Sequence, residues 1–141
     1  MILKKTANPE PVSGIMVVDK PSGWTSHDVV NRVRYLLGGV KTGHAGTLDP
    51  MATGVMILLI GRATKLSSRF MREDKRYLAE VTFGHSTDTF DALGKTVATG
   101  DPGEIDVNMV AQCVQRFKGE SEQIPPMFSA VKTGGRRLYH I

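Results

Sequence analysis

The run Gly54-Val-Met-Ile-Leu-Leu-Ile-Gly61 limits the possible folds of this sequence more than any other stretch. Six consecutive apolar residues between glycines have the length of a strand buried on both faces, and fall far short of the ~20 needed to span a bilayer. A buried strand implies a core, and 141 residues are enough for one, since a chain of this length buries roughly 70% of the surface it exposes when unfolded. Apolar residues at 40% and charged residues at 23% lie near globular averages, and the prolines and glycines are spread along the chain, which argues against a disordered tract.

The flanking pattern is that of a mixed α and β domain. Ile15 to Val18 reads as a short buried strand running into a Lys-Pro-Ser-Gly turn. A helix follows, capped by Thr25 or Ser26, with Val29, Val33, Leu36 and Leu37 at helical spacing and Gly38-Gly39 as its stop. The segment Gly61–Met71 predicts a short helix bearing Arg62, Lys65, Arg69 and Arg72. Alternation in "RYLAEVTFG" predicts a half-buried strand, "STDTFDALG" a turn and "KTVATG" a returning strand. Asp106 caps a second long helix with Val107, Val110, Val114 and Phe117 on one face, and "PPMFSAVKTGGRRLYHI" predicts a strand, a Gly-Gly hairpin and a further strand. The single cysteine, Cys113, cannot form an internal disulfide and reads as a packed, inert thiol in a reducing compartment. The first eleven residues lack the apolar run of a signal peptide, so a cytoplasmic protein is expected.

Charge raises the functional question. Net charge is +4, and between Asp28 and Glu73 the lone acid, Asp49, stands among seven basic residues: Arg32, Arg34, Lys41, Arg62, Lys65, Arg69 and Arg72. The glycine-rich stretch around it is not a phosphate loop, because Gly-Lys-Ser/Thr is missing at the required spacing and an aspartate there would repel a nucleotide phosphate. Four scattered histidines and one cysteine do not make a zinc site. Asp88, Asp91 and His85 lack the ligand count of a calcium loop, and no Gly-x-Ser-x-Gly elbow marks a serine hydrolase. A polyanionic substrate reconciles the charges: the cations bind phosphates while one carboxylate acts on a sugar or base carbon. The plainer alternative is that Asp49-Pro50 only starts a turn.

At this point the residues reach a known family. "GHAGTLDPMATGVMILLIGRATK" resembles the Gly-His-x-Gly-Thr-Leu-Asp-Pro-x-Ala-x-Gly motif of the TruB-type tRNA pseudouridine synthases. "GIMVVDKPSGWTSHDVV" is similar to that family's opening motif, "KRYLAEVTFGHSTDTFDALG" to its Tyr-containing strand and acidic turn, and "QIPPMFSAVKTGGRRLYHI" to its Pro-Pro and Ser-Ala-x-Lys segment. The resemblance implies an α+β catalytic domain with a mixed, largely antiparallel sheet and flanking helices, of which residues 1–141 would be the N-terminal portion. It implies isomerisation of a uridine in the tRNA T-arm loop, position 55 in tRNA counting, to pseudouridine, with no cofactor, metal, nucleotide or membrane involved.

Carried over residue by residue, the resemblance makes Asp49 the catalytic aspartate and Tyr77 the active-site tyrosine, whose ring stacks on uracil and whose hydroxyl takes part in proton transfer. His44 contacts the substrate loop where nucleotides flip out. Lys20 and Pro21 belong to the opening turn that supports the catalytic loop. Lys20, Arg62 and Lys65 are also expected among the substrate-binding residues. In the family, later segments supply an arginine that pairs with the aspartate, so residues 1–141 alone are expected to turn over slowly or not at all, and to leave a sheet edge and apolar surface uncovered. The rival reading from another class is a catalytically silent RNA-binding or RNA-folding module.

Overall fold

The computed structural model describes residues 12–122, together with the backbone of 132–133 and 136–137. The chain forms two compact units, Met1–Tyr77 and Leu78–Ile141. Helices and antiparallel sheets together make it an α+β structure, as expected.

The first unit is built on a three-stranded sheet in which β3 (Gly54–Ile60) lies between β1 (Gly14–Lys20) and β2 (Thr42–His44), antiparallel to both. The apolar run therefore occupies the centre, the place where a strand finds partners on both edges. Register sets Met16 opposite Leu58 and Val18 opposite Met56, so the period of two brings these four side chains to one face. Helix α1 (Ser26–Leu36) covers that face with Val29, Val30 and Val33, closing the core around Met56 and Leu58. Full burial of a side chain such as Leu58 contributes about 1.5–3 kcal/mol.

The opposite face is less covered than the sequence suggests. Strand β1 is not buried but one-sided, with Ile15 and Val17 at 50% and 64% exposure, and Val55 at the start of β3 is 73% exposed. Only Leu58, Leu59 and Ile60 of β3 are buried in succession. An apolar run measures how much a strand can bury, while the elements stacked on it decide how much it does.

Both ends of α1 are fixed by local chemistry. Thr25 is the N-cap: its hydroxyl accepts from the Asp28 N–H at 3.1 Å, while the Asp28 carboxylate accepts from the Thr25 N–H at 2.8 Å and hydroxyl at 2.6 Å. These hydrogen bonds, that from the Thr25 hydroxyl foremost, hold the Asp28 carboxyl below its ordinary pKa. At the other end Gly39 N–H reaches back to Arg34 C=O and Gly38 N–H to Tyr35 C=O, with both glycines at positive φ, the left-handed stop that the Gly-Gly pair predicts.

After β3 the chain turns through a 3-10 helix (Gly61–Leu66) into the single turn α2 (Ser67–Phe70), so the expected short helix exists in two pieces. Gly61 makes that exit possible. Its φ is +59°, its N–H donates to Lys41 C=O at 2.7 Å, and a Cβ there would collide with the Val12 carbonyl oxygen.

In the second unit β4 (His85–Thr87) pairs antiparallel with β5 (Thr96–Thr99), so "KTVATG" does supply a returning strand. Its partner differs from the expected one. Residues 77–83 form no strand, and Tyr77, Leu78, Val81 and Phe83 are all exposed. Alternation supplies two faces, but a strand also needs a hydrogen-bonding neighbour, and among the described residues this segment has none. Helix α3 (Val107–Gln115) is capped by Asp106 as expected, but its apolar stripe is uncovered among the described residues. Cys113 is accordingly exposed, against the expectation of a packed thiol. Strand β6 (Lys132–Thr133) pairs antiparallel with β7 (Arg136–Arg137), as the expected hairpin requires; its Gly-Gly turn and the strand expected in "PPMFSA" lie outside the described residues.

Two stability measurements check this account. Gly61→Ala should lower the unfolding free energy of the complete protein by about 2 kcal/mol or more, because it adds left-handed strain to a backbone collision. Asp28 has a depressed folded pKa, so its contribution to α1 is complete above 3.8 and is lost as pH falls through the folded value. Asp28→Asn should therefore flatten the acid limb of the stability curve, read by unfolding midpoints across pH 2 to 7.

Candidate active site

Asp49 lies in the loop between β2 and β3, and its side chain is exposed. The backbone on either side of it is held by the turn between β1 and α1. Ser26, 3% exposed and the first residue of α1, takes both polar groups of Leu48: the Leu48 N–H donates to Ser26 Oγ at 2.9 Å, and Ser26 Oγ donates to Leu48 C=O at 3.1 Å. The carbonyl of Pro50 accepts two bonds, from Gly23 N–H at 2.8 Å and from Lys20 Nζ at 3.1 Å. Ser22 Oγ donates to Met51 C=O at 3.3 Å, and Ala52 N–H closes the turn onto Asp49 C=O at 3.0 Å. Residues 48, 50 and 51 are thus tied to a second segment about 25 residues earlier in the chain, while the carboxylate between them stays in solvent.

Lys20 is the centre of this arrangement. It is fully buried, at 0% exposure, and its ammonium donates to Pro21 C=O at 3.0 Å, Trp24 C=O at 2.7 Å and Pro50 C=O at 3.1 Å. An ammonium has three donors, and all three are used. The expectation that Lys20 contacts substrate is therefore corrected: with every N–H engaged inside the protein, none remains for an RNA phosphate. Its observed position is that of a support for the Asp49 loop.

The other expected residues are distributed as follows. His44 ends β2 and is half-buried, with Gly46 N–H donating to its Nδ1 at 3.4 Å. Arg62 and Lys65 are exposed on the 3-10 helix that leaves β3. Tyr77 is 70% exposed. Two residues before it, Lys75 ties its ammonium to Met71 C=O and Glu73 C=O, each at 2.8 Å, and a Cβ on Gly46 would lie 3.9 Å from Lys75 Cε. The Lys75 side chain therefore reaches the glycine end of the Asp49 loop. Among the described residues no hydrogen bond joins Tyr77, Arg62 or Lys65 to that loop. Ser22, Gly23 and Ser26 are the functional support that sequence reasoning missed. Small polar residues at a helix start read as caps, and nothing local tells that Ser26 serves Leu48 instead.

An exposed carboxylate on a hydrogen-bonded backbone can be presented to one atom of a ligand with little reorganisation. Residues 34–141 match the model of the TruB family pseudouridylate synthase (N terminal domain). Similar proteins include the tRNA pseudouridine synthase B of Syntrophotalea carbinolica, 49% identical over 130 residues that make up 92% of this chain and 42% of the relative. That of Symbiobacterium thermophilum is 50% identical over 130 residues, 92% of this chain and 44% of the relative, and that of Chlamydia muridarum 47% identical over 131 residues, 92% and 54%. The chain spans about half the length of these relatives or less. The lone aspartate, its clamped loop and these matches converge: the chain belongs to the TruB family of pseudouridylate synthases.

Proposed function

We propose that the complete protein converts a uridine in the T-arm loop of tRNA, position 55, to pseudouridine, with Asp49 acting on the ribose or the base. The observation that carries this reading is the asymmetry around Asp49: the backbone of residues 48, 50 and 51 is held by hydrogen bonds, while the side chain at 49 is left free. A residue with only a turn to make would need no such frame. The relatives' names point to tRNA as the substrate class, and the basic excess of the sequence between Asp28 and Glu73 suits a polyanion.

In this reading the glycosidic bond of the uridine is broken, the uracil turns within the pocket, and C5 is joined to the same sugar carbon. Attack of Asp49 on C1′, attack on C6 of the base, and elimination to a glycal all need an ionised carboxylate within reach of that bond. Tyr77 stacks on the extruded uracil, His44 contacts the RNA loop, and Arg62 and Lys65 bind phosphates. Lys20 takes no direct part.

Two variants of the complete protein test this reading. Asp49→Asn keeps the shape of the loop and removes the acid; pseudouridine formation on tRNA should fall by about 10³-fold or more while tRNA affinity stays within a few-fold. Retained turnover would refute the role of Asp49, and a wild type that binds tRNA and makes no pseudouridine would favour the silent RNA-binding module. Ser26→Ala leaves both polar groups of Leu48 without their partner, and should lower kcat by about 10-fold or more through misplacement of Asp49, with tRNA affinity little changed.

A further inference from the structure

Trp24 is the one tryptophan of the sequence and it is 41% exposed. Tryptophan buries the largest apolar surface of any side chain, so leaving one part-exposed forgoes stability that a packed position would gain. The backbone that carries it is, by contrast, among the most constrained in the first unit. Its carbonyl accepts from Lys20 Nζ at 2.7 Å, the preceding Gly23 N–H donates to Pro50 C=O at 2.8 Å with φ at +82°, and the following Thr25 is the N-cap of α1.

The same ammonium holds Pro50 C=O, so the carbonyl oxygens of Trp24 and Pro50 both lie within 3.1 Å of a single nitrogen. Asp49 directly precedes Pro50. An indole and a reactive carboxylate are therefore mounted on one hydrogen-bonded frame, with the 38% exposed Met51 as a further apolar side chain on the Asp49 loop.

Trp24 also occupies the residue before an N-cap, the staple position paired with Val29 four residues into the helix. A staple position explains an apolar residue at 24, and an aliphatic one would fill it equally well. It does not account for an aromatic side chain left 41% exposed on a backbone tied to the Asp49 loop. Extracting a uridine from an RNA loop unstacks its neighbours, and proteins recover that loss by stacking bases on aromatic side chains.

We propose that Trp24 is a substrate-binding residue whose indole face stacks on a nucleobase displaced beside the reacting uridine. The inference rests on the RNA-isomerase reading of Asp49. Its test uses the complete protein, a T-arm stem-loop RNA as probe, and the variants Trp24→Leu, which keeps a staple and removes the stack, and Trp24→Phe, which keeps both. Trp24→Leu should raise the KM for the RNA by about 5- to 150-fold with kcat nearly unchanged and an unaltered Tm, and Trp24→Phe should restore most of the loss. Adding the RNA should quench tryptophan emission in the wild type, and that part of the quench should vanish in Trp24→Phe. An unchanged KM in Trp24→Leu, or no quench assignable to Trp24, would overturn the proposal. A wild type that binds the stem-loop and makes no pseudouridine would instead sink the isomerase reading, and the quench would still decide whether Trp24 touches RNA.

Discussion

A charge taken wholly out of water needs a full set of partners, and in this protein that requirement falls on the Lys20 ammonium. An unsatisfied buried ammonium would be strongly destabilising, and here each N–H meets a backbone carbonyl. Two of those carbonyls belong to the turn after β1 and the third to Pro50, thirty residues later in the chain. Meeting the desolvation cost thus fixes the separation of two loops, and the residue next to the third carbonyl is Asp49. Ser26, Ser22 and Gly23 repeat the same logic with neutral donors and acceptors.

The sheet gives this clamp something to stand on. Because β1 and β3 run antiparallel, with Lys20 opposite Gly54, the end of one strand and the start of the other lie side by side. The two loops that leave there are neighbours by register, and the hydrogen bonds only have to fix their fine position. Helix α1 is anchored on the sheet by Val29 and Val30, and Ser26 at its first turn is buried with them.

What the sequence made legible was local chemistry. A cap at Thr25 or Ser26, the Gly38-Gly39 stop, the cap at Asp106 and a strand in the apolar run follow from one short segment each, and the structure has them, with Thr25 as the first cap. What it left hidden depends on distant partners. The alternation in residues 77–83 promises a strand without naming a neighbour, Cys113 lies near an apolar stripe that nothing described covers, and the support role expected of Lys20 did not reveal that every donor of its ammonium is spent on backbone carbonyls. The candidate site divides the same way: Asp49 stood out by its charge and its motif, whereas the residues that hold it are unremarkable in composition.

The most direct measurement is a structure of the complete protein bound to a tRNA T-arm stem-loop with its uridine unreacted. The account predicts an Asp49 carboxylate oxygen about 3–3.5 Å from the ribose C1′ or from C6 of a uridine turned out of the loop, with Lys20 Nζ still bonded to Pro50 C=O. An Asp49 side chain turned away from the uridine, or a Lys20 ammonium released from Pro50 and resting on an RNA phosphate, would contradict it.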